Sequence, residues 1–289
     1  MLAVYVVANL CPASERKGVD EKLAAESAFA KLEPELQRAQ ALWEKSDARA
    51  APVDWTITRG LVAQRRMAGR NRFDGTRIVE VDLEHDNAVR FSSHDKFTLS
   101  AWIRSTSLTG AIVTRVQDVA QGQGYGLYLK DGRVQANLVK RWRDDALRLE
   151  TAGAIDLNQW HNITMTFDGS AAAGGVKIYI DGQVQKISVN LDRLLGSFET
   201  SEPLRIGGGG GRENRFRGQI RAVRIYNVVL TPNEVAVVSE DTPISTLVLA
   251  KPEDRTTAGS DKIRFYFLER AAPPDIRNAW LRVIALRDR

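Results

Sequence analysis

The chain has 289 residues, 43% of them hydrophobic and 27% charged, with a formal net charge of +5. That composition fits a globular protein with a sizeable core and excludes a disordered chain, and no apolar run approaches the ~20 residues of a membrane helix. The positive charge is scattered Arg, which reads as a solvated surface rather than a nucleic-acid footprint and leaves an anionic partner open, including a sulfated or carboxylated polysaccharide.

The chain opens "MLAVYVVANLCPAS", an apolar run without a basic flank or an A-x-A cleavage site, so it does not read as a signal peptide. Leu10 is too large to precede a lipid-modified cysteine. Cys11 is the single cysteine, which excludes an intrachain disulfide and a Cys-rich zinc site. There is no C-x-x-C-H for attaching a c-type haem, and His85, His94 and His161 lack the H-x-x-x-H spacing of a histidine-built metal centre.

A helical zone follows over 18–47. Leu32, Leu36, Ala39 and Trp43 recur at helical spacing, and Pro34 suits a first turn, so a helix begins near Glu33, with an earlier short helix over Val19 to Lys31. "DARAAPVD" marks a boundary. The stretch 53–240 then reads as short strands between Gly, Asp and Asn. In "FTLSAWIR", Phe97, Leu99, Ala101 and Ile103 alternate with Thr98, Ser100, Trp102 and Arg104. "YGLYLKDGRVQANLV" and "VKIYIDGQVQKISV" read as hairpins, because Asp131-Gly132 and Asp181-Gly182 supply the positive φ angles of a two-residue turn. "WHNITMTF" puts His161, Ile163, Met165 and Phe167 on one parity, which makes His161 a satisfied sheet histidine rather than a catalyst. "TPNEVAVV" is a short helix with Thr231 as cap and Pro232 at its first position. In the last zone Asp261 is expected to cap "KIRFYFLER", and Pro273-Pro274 to start a helix with an Ile276, Trp280, Val283, Leu286 stripe. The fold class is therefore mainly β: a two-sheet antiparallel jelly-roll sandwich with flanking N- and C-terminal helices. The expected division is 1–52, the tail of a preceding domain; 53–240, the sandwich; and 241–289, the start of a following domain. The two helical ends are expected to pack together beside the sandwich.

"RFDGTRIVEV", "FTLSAWIR", "QWHNITMTFDGS", "GVKIYIDGQ", "LRIGG" and "FRGQIRAVRIYNVVLTPNEV" occur in an order that resembles a laminin-G/concanavalin-A-like domain of the pentraxin-related type. "KRWRDDALRLET", "DGSAAAGGVKIYIDG" and the tail from Ile263 are more narrowly similar to the laminin-G-like insert of large planctomycete-type cytochrome-associated bacterial proteins. In that family, domains of unknown function flank the insert and some members carry a c-type cytochrome module. The resemblance implies an extracytoplasmic parent protein with any haem elsewhere, flanking domains as partners, and no known reaction for this segment.

Five chemistries can be tested on these residues. In "EVDLE", Glu80, Asp82 and Glu84 share one strand face, which resembles the E-x-D-x-E motif of retaining glucanases, where two carboxyls about 5 Å apart act as nucleophile and acid. Here the motif follows "FDG" on an early strand and lacks the preceding Trp, so carboxylates that blunt a sheet edge are the preferred reading. "RIGGGGGRENRF" lacks the Gly-Lys-Ser/Thr of a phosphate cradle and reads as a flexible inter-strand loop. Calcium is compatible with this sandwich type, with Asp74, Asp144 and Asp145 as oxygen donors, but no motif places it. No serine sits in a G-x-S-x-G setting, so no nucleophile–base pair emerges. A glycan site needs an aromatic platform beside polar groups. Trp142 between Arg141 and Arg143 has that composition, and Trp102, Arg104 and Tyr128, on the non-core parity of their strands, are expected to line a concave face. The expected role is a non-catalytic recognition or spacer module with a polysaccharide ligand; the alternatives are a purely structural interdomain scaffold and a glycoside hydrolase using Glu80 and Glu84.

Overall fold

The computed structural model describes residues 13–288 apart from 47, 53–54, 68, 70 and 82–85. It divides into two compact units, one formed by Ile57–Asp241 and one by the two chain ends.

The Ile57–Asp241 unit is a sandwich of two antiparallel sheets, each of seven strands. Its strands in chain order are β1 (Leu61–Arg66), β2 (Arg72–Asp74), β3 (Val79–Val81), β4 (Phe97–Ser105), β5 (Gly110–Val116), β6 (Gly124–Lys130), β7 (Arg133–Arg141), β8 (Asp145–Ala154), β9 (His161–Phe167), β10 (Val176–Ile180), β11 (Gln183–Val184), β12 (Ile187–Arg193), β13 (Leu204–Ile206) and β14 (Arg217–Tyr226). The first sheet runs β1-β14-β4-β9-β10-β11, with β2 also on β14; the second runs β12-β8-β7-β6-β5-β13-β3.

Period-two alternation fixes which side of each strand enters the core. On β4 and β9 the pairs Phe97↔Phe167, Leu99↔Met165 and Ala101↔Ile163 point inward, and all six are essentially inaccessible. Tyr125, Leu127 and Leu129 of β6 and Val134, Ala136 and Leu138 of β7 meet them from the second sheet. An aromatic knot closes one end. Phe91 stacks on Phe97 with ring centroids 4.5 Å apart, and the buried Tyr125 hydroxyl donates to Val89 O at 2.6 Å. His161, at the end of its strand, places Nδ1 2.8 Å from Asp181 Oδ2 and Nε2 3.2 Å from Asp156 O, so both ring nitrogens are occupied.

The two Asp-Gly turns have positive φ at both residues, 51° and 77° for Asp131-Gly132 and 51° and 78° for Asp181-Gly182. The second hairpin departs from expectation. Only Gln183–Val184 pairs back on β10, and the chain then crosses to pair β12 with β8 in the other sheet. Ile187, Val189 and Leu191 of β12 do alternate with polar residues, but alternation marks a strand without saying which sheet it joins. Helix α3 (Pro232–Val238) follows with the full capping box: Glu234 N donates to Thr231 Oγ1, and Thr231 N donates to Glu234 Oε2. Arg59 clamps the same carboxylate at 2.6 Å.

The other unit contains α1 (Ala13–Ala30), α2 (Glu33–Ser46), α4 (Ile244–Leu247), α5 (Thr257–Arg270) and α6 (Pro274–Asp288), numbered with α3 in chain order. The two chain ends do pack on each other. Leu36 of α2 is buried with Phe267, Leu268, Ile276, Trp280 and Ile284, and Trp43 packs against that cluster. Arg264 binds Glu33 through both carboxylate oxygens at 2.9 and 2.6 Å. The α1 helix is longer than expected. Asp261 is not a cap: α5 starts four residues before it, where Thr256 Oγ1 accepts from Gly259 N, and Asp261 sits inside the helix with its carboxyl pushed up by burial. Among the described residues no helix is long and apolar enough to cross a membrane.

Candidate functional site

The outward face of the second sheet carries a cleft of about 280 Å³. Its floor follows from strand parity. With Tyr125, Leu127 and Leu129 committed to the core, Gly124, Gly126, Tyr128 and Lys130 of β6 face out. Gln135, Asn137 and Val139 of β7 do the same, and Gly126 pairs with Asn137 and Tyr128 with Gln135. The two glycines let β5 approach closely, since a Cβ on Gly126 would lie 2.7 Å from Thr114 Cγ2. Trp142, in the turn joining β7 to β8, closes one end.

The walls are two loops, around Ala120–Gly122 and Gly210–Asn214. The glycine run is the inter-strand loop expected of it, joining β13 to β14, and hydrogen bonds anchor it. Arg215 donates to both oxygens of Asp118 at 3.0 and 2.6 Å, and Gly211 N donates to the same carboxylate at 3.2 Å. Asn214 Nδ2 closes the turn on Gly210 O at 2.7 Å. Gly209 has φ +110°, and a Cβ there would lie 2.2 Å from Thr114 Oγ1, so glycine is required at that point. The hydrogen bond from Arg215 holds the Asp118 carboxyl below the usual range against the opposing effect of its own burial.

The polar groups of the floor differ in how they are satisfied. Gln135 Nε2 donates to Glu150. The Tyr128 hydroxyl and the Asn137 side-chain amide make no hydrogen bond among the described residues, although Asn137 is only 6% exposed. Burial, with a smaller contribution from the Asp118 charge, pushes the Tyr128 phenol up, so it stays neutral and able both to donate and to accept. Beside them the Arg148 guanidinium of β8 lies over the Trp142 indole, 4.4 Å from the ring centroid. An aromatic platform, an unpartnered hydroxyl and an unpartnered amide thus face one cleft, which is the chemistry that orients a polyhydroxylated ligand.

The structure brings together only part of the set expected from sequence. Tyr128 and Trp142 share the cleft. Arg141 and Arg143 flank Trp142 but do not line it; Arg141 is exposed and paired with Asp144 at 3.0 Å. Trp102 and Arg104 cannot contribute, because β4 belongs to the first sheet and its outward face lies across the core from that of β6. There Trp102 carries Arg221, 4.4 Å from its ring, which also lies over Trp160 and pairs with Asp241, and Arg104 donates to Asn158 O. Parity marks a residue as outward but does not say from which sheet. Asn137, Arg148 and Asp118 went unnoticed in the sequence, since nothing local distinguishes them; only the register of β6, β7 and β8 brings the first two to the cleft.

The carboxylates considered for catalysis or calcium are engaged elsewhere. Glu80 lies on β3, an edge strand, where it accepts from Arg205 at 3.0 Å; Asp82 and Glu84 lie outside the described residues, as do Cys11 and His85. Asp74 accepts from Thr76 Oγ1, Thr76 N and Arg77 N, and these bonds, the Thr76 hydroxyl first, bring its carboxyl down to about 2. Asp144 is taken by Arg141. Asp145 is buried and accepts from Leu195 N and Gly196 N at 2.7 and 3.0 Å. Among the described residues no three His, Cys, Asp or Glu side chains converge to hold a metal ion.

Comparison with known proteins agrees with this architecture. The family profile described as the concanavalin A-like lectin/glucanases superfamily matches residues 80–236. No curated protein matches the chain in sequence. Similar solved structures include the carbohydrate-binding module CBM40 of a Ruminococcus gnavus IT-sialidase bound to α2,3-sialyllactose, at 16% identity and TM-score 0.46 over 62% of this chain and 99% of that one. A Bacteroides ovatus protein described provisionally as carbohydrate binding aligns at 18% identity and TM-score 0.41, over 57% of this chain and 45% of that one. The binding domain of Paraclostridial Mosquitocidal Protein 1 aligns at 22% identity and TM-score 0.42, over 64% and 46%. The chain thus spans less than half the length of the last two. With its profile match covering more than half of the residues, the chain belongs to the concanavalin A-like lectin/glucanase superfamily.

Proposed function

We propose that this chain is a non-catalytic saccharide-recognition module whose binding site is the cleft on the outward face of the second sheet. The observation that carries this reading is the pair of unpartnered polar groups, Tyr128 Oη and the Asn137 amide, beside the Trp142 indole. Both groups keep their hydrogen-bonding capacity free for a ligand hydroxyl. The indole supplies apolar area for the C–H face of a sugar ring. Glu80 does not support hydrolysis, since it is paired with Arg205 on an edge strand away from the cleft. The resemblance of "KRWRDDALRLET" and the C-terminal tail to inserts of cytochrome-associated proteins supports a place within a larger extracytoplasmic protein, with flanking domains as neighbours.

Glycan-array screening tests the reading. Binding to a defined set of glycans, lost in Trp142→Ala and weakened about tenfold in Asn137→Ala, is the expected result. A flat array across neutral, carboxylated and sulfated glycans refutes it and leaves the sandwich a spacer.

A further inference from the structure

Arg148 stands apart from the other arginines near the cleft. It lies on the outward face of β8, where its cross-strand neighbour is Asn137 and, beyond that, Gly126. Arg148 therefore borders the cleft, beside the unpartnered Asn137 amide that lines it. The Arg148 Nε is shut off from solvent and has no acceptor. Among the described residues no carboxylate contacts its guanidinium, and the acids near it have other partners. Glu150, two residues along the same face, accepts from Arg133, Gln135 and Asn190. Asp144 is held by Arg141, and Asp145 by two backbone amides. What fixes Arg148 is the Trp142 indole beneath it.

A guanidinium that is partly desolvated, held flat and lacking a counter-ion is prepared for an anion: much of the cost of removing it from water is met in the free protein, and its planar fork matches a carboxylate. The lining of the cleft itself argues against a polysulfated chain. Its charged residues are Lys130 and Glu213, whose charges offset each other, so the cleft offers no track of cations. We propose that the cleft selects a saccharide bearing a carboxylate, which Arg148 binds while Trp142, Asn137 and Tyr128 hold the sugar ring. This inference rests on the saccharide-recognition reading above.

The test is calorimetric titration of the full chain with tri-galacturonate and with sialyllactose, each as the free acid and as its methyl ester. The ester keeps the ring and every hydroxyl and removes only the charge. The wild-type protein is expected to bind one of the acids about tenfold or more tighter than its ester. In Arg148→Gln that preference falls to about twofold or less, and Arg148→Lys, which keeps the charge but loses the fork, lies between. Equal binding of acid and ester by the wild type overturns the inference and leaves saccharide recognition standing. So does an acid preference that survives intact in Arg148→Gln. Failure of the wild type to bind acid, ester or any array glycan removes both readings. The acid–ester comparison on the wild type needs no variant to fold.

Discussion

Removing the Asp118 carboxylate tests whether the cleft wall is built by charge or by glycine conformation. Asp118→Ala deletes three hydrogen bonds, from Arg215 Nη1 and Nη2 at 3.0 and 2.6 Å and from Gly211 N at 3.2 Å. Hydrogen bonds to a charged group are each worth about 1.5–3 kcal/mol when buried. The Asp118 side chain is 30% exposed and that of Arg215 12%, so water recovers much of this on rupture. The net loss is about 2 kcal/mol, confined to the loop, because no core side chain moves with it. At about 1.4 kcal/mol per decade, the loop opens about 30-fold more often. Hydrogen exchange at the amides of Gly211, Asn214 and Arg215 measures this directly, with the amides of Leu127 and Leu138 as the core reference. Because the carboxyl is held below its usual value by Arg215, its contribution is fully present above the unfolded-state value of about 3.9 and is lost as pH falls through the lower folded value. Loop protection in the wild type should therefore be flat from neutral pH to about pH 5 and weaken only below about pH 4. Unchanged loop exchange in Asp118→Ala would refute the reasoning and assign the wall to its glycine backbone.

Three further substitutions test the scaffold. Gly169→Ala places a Cβ 2.4 Å from the His94 carbonyl oxygen at a φ of +78°, so it should cost about 2–3 kcal/mol, read as a lower urea midpoint. Asp145→Ala strands the Leu195 and Gly196 amides and should cost about 3 kcal/mol, or a Tm lower by about 10 °C, whereas a surface carboxylate such as Asp144 should tolerate the same change within about 0.5 kcal/mol. Thr231→Ala breaks the capping box of α3 and should cost about 1 kcal/mol, with Thr231→Ser close to neutral in chemical denaturation.

The sandwich was legible in the sequence because its signals are local. Alternation with period two needs no knowledge of the rest of the chain, so the inward residues of β4 and β9 could be named. A two-residue turn demands positive φ, which Asp-Gly supplies at 131–132 and 181–182. The site was less legible because it depends on pairing. Trp102 and Tyr128 carry the same outward signature, yet one is on the first sheet and the other on the second. The crossing of β12 was hidden for a related reason: its Ile187, Val189, Leu191 alternation marks a strand but does not name the sheet it joins. Arg148 approaches Trp142 only because β7 and β8 pair as Asn137↔Arg148. Asp261 was mistaken for a cap because Thr256, five residues earlier, satisfies the same demand.

The two outward faces provide an internal control on what the cleft is for. On the first sheet, Ser100, Asn162 and Thr164 are buried polar residues at outward positions, and they close on one another. Thr164 Oγ1 lies 2.9 Å from both Ser100 Oγ and Asn162 Oδ1, and Asn162 Nδ2 donates to Ser100 Oγ at 3.2 Å. On the second sheet the Asn137 amide stays unpartnered, whereas a guanidinium Nε without an acceptor occurs on both faces, at Arg148 and at Arg224. What distinguishes the second face is the Asn137 amide, whose hydrogen-bonding capacity is left free for a ligand hydroxyl. Asn137→Leu should therefore leave the stability of the sandwich within about 1 kcal/mol while weakening glycan binding about tenfold or more, because Leu keeps the volume and removes the group that orients a sugar hydroxyl. Chemical denaturation and titration with the glycan bound by the wild type check the two halves independently. A loss of stability would mean that the amide has a structural role, and binding that survives intact would move the recognition site away from Asn137.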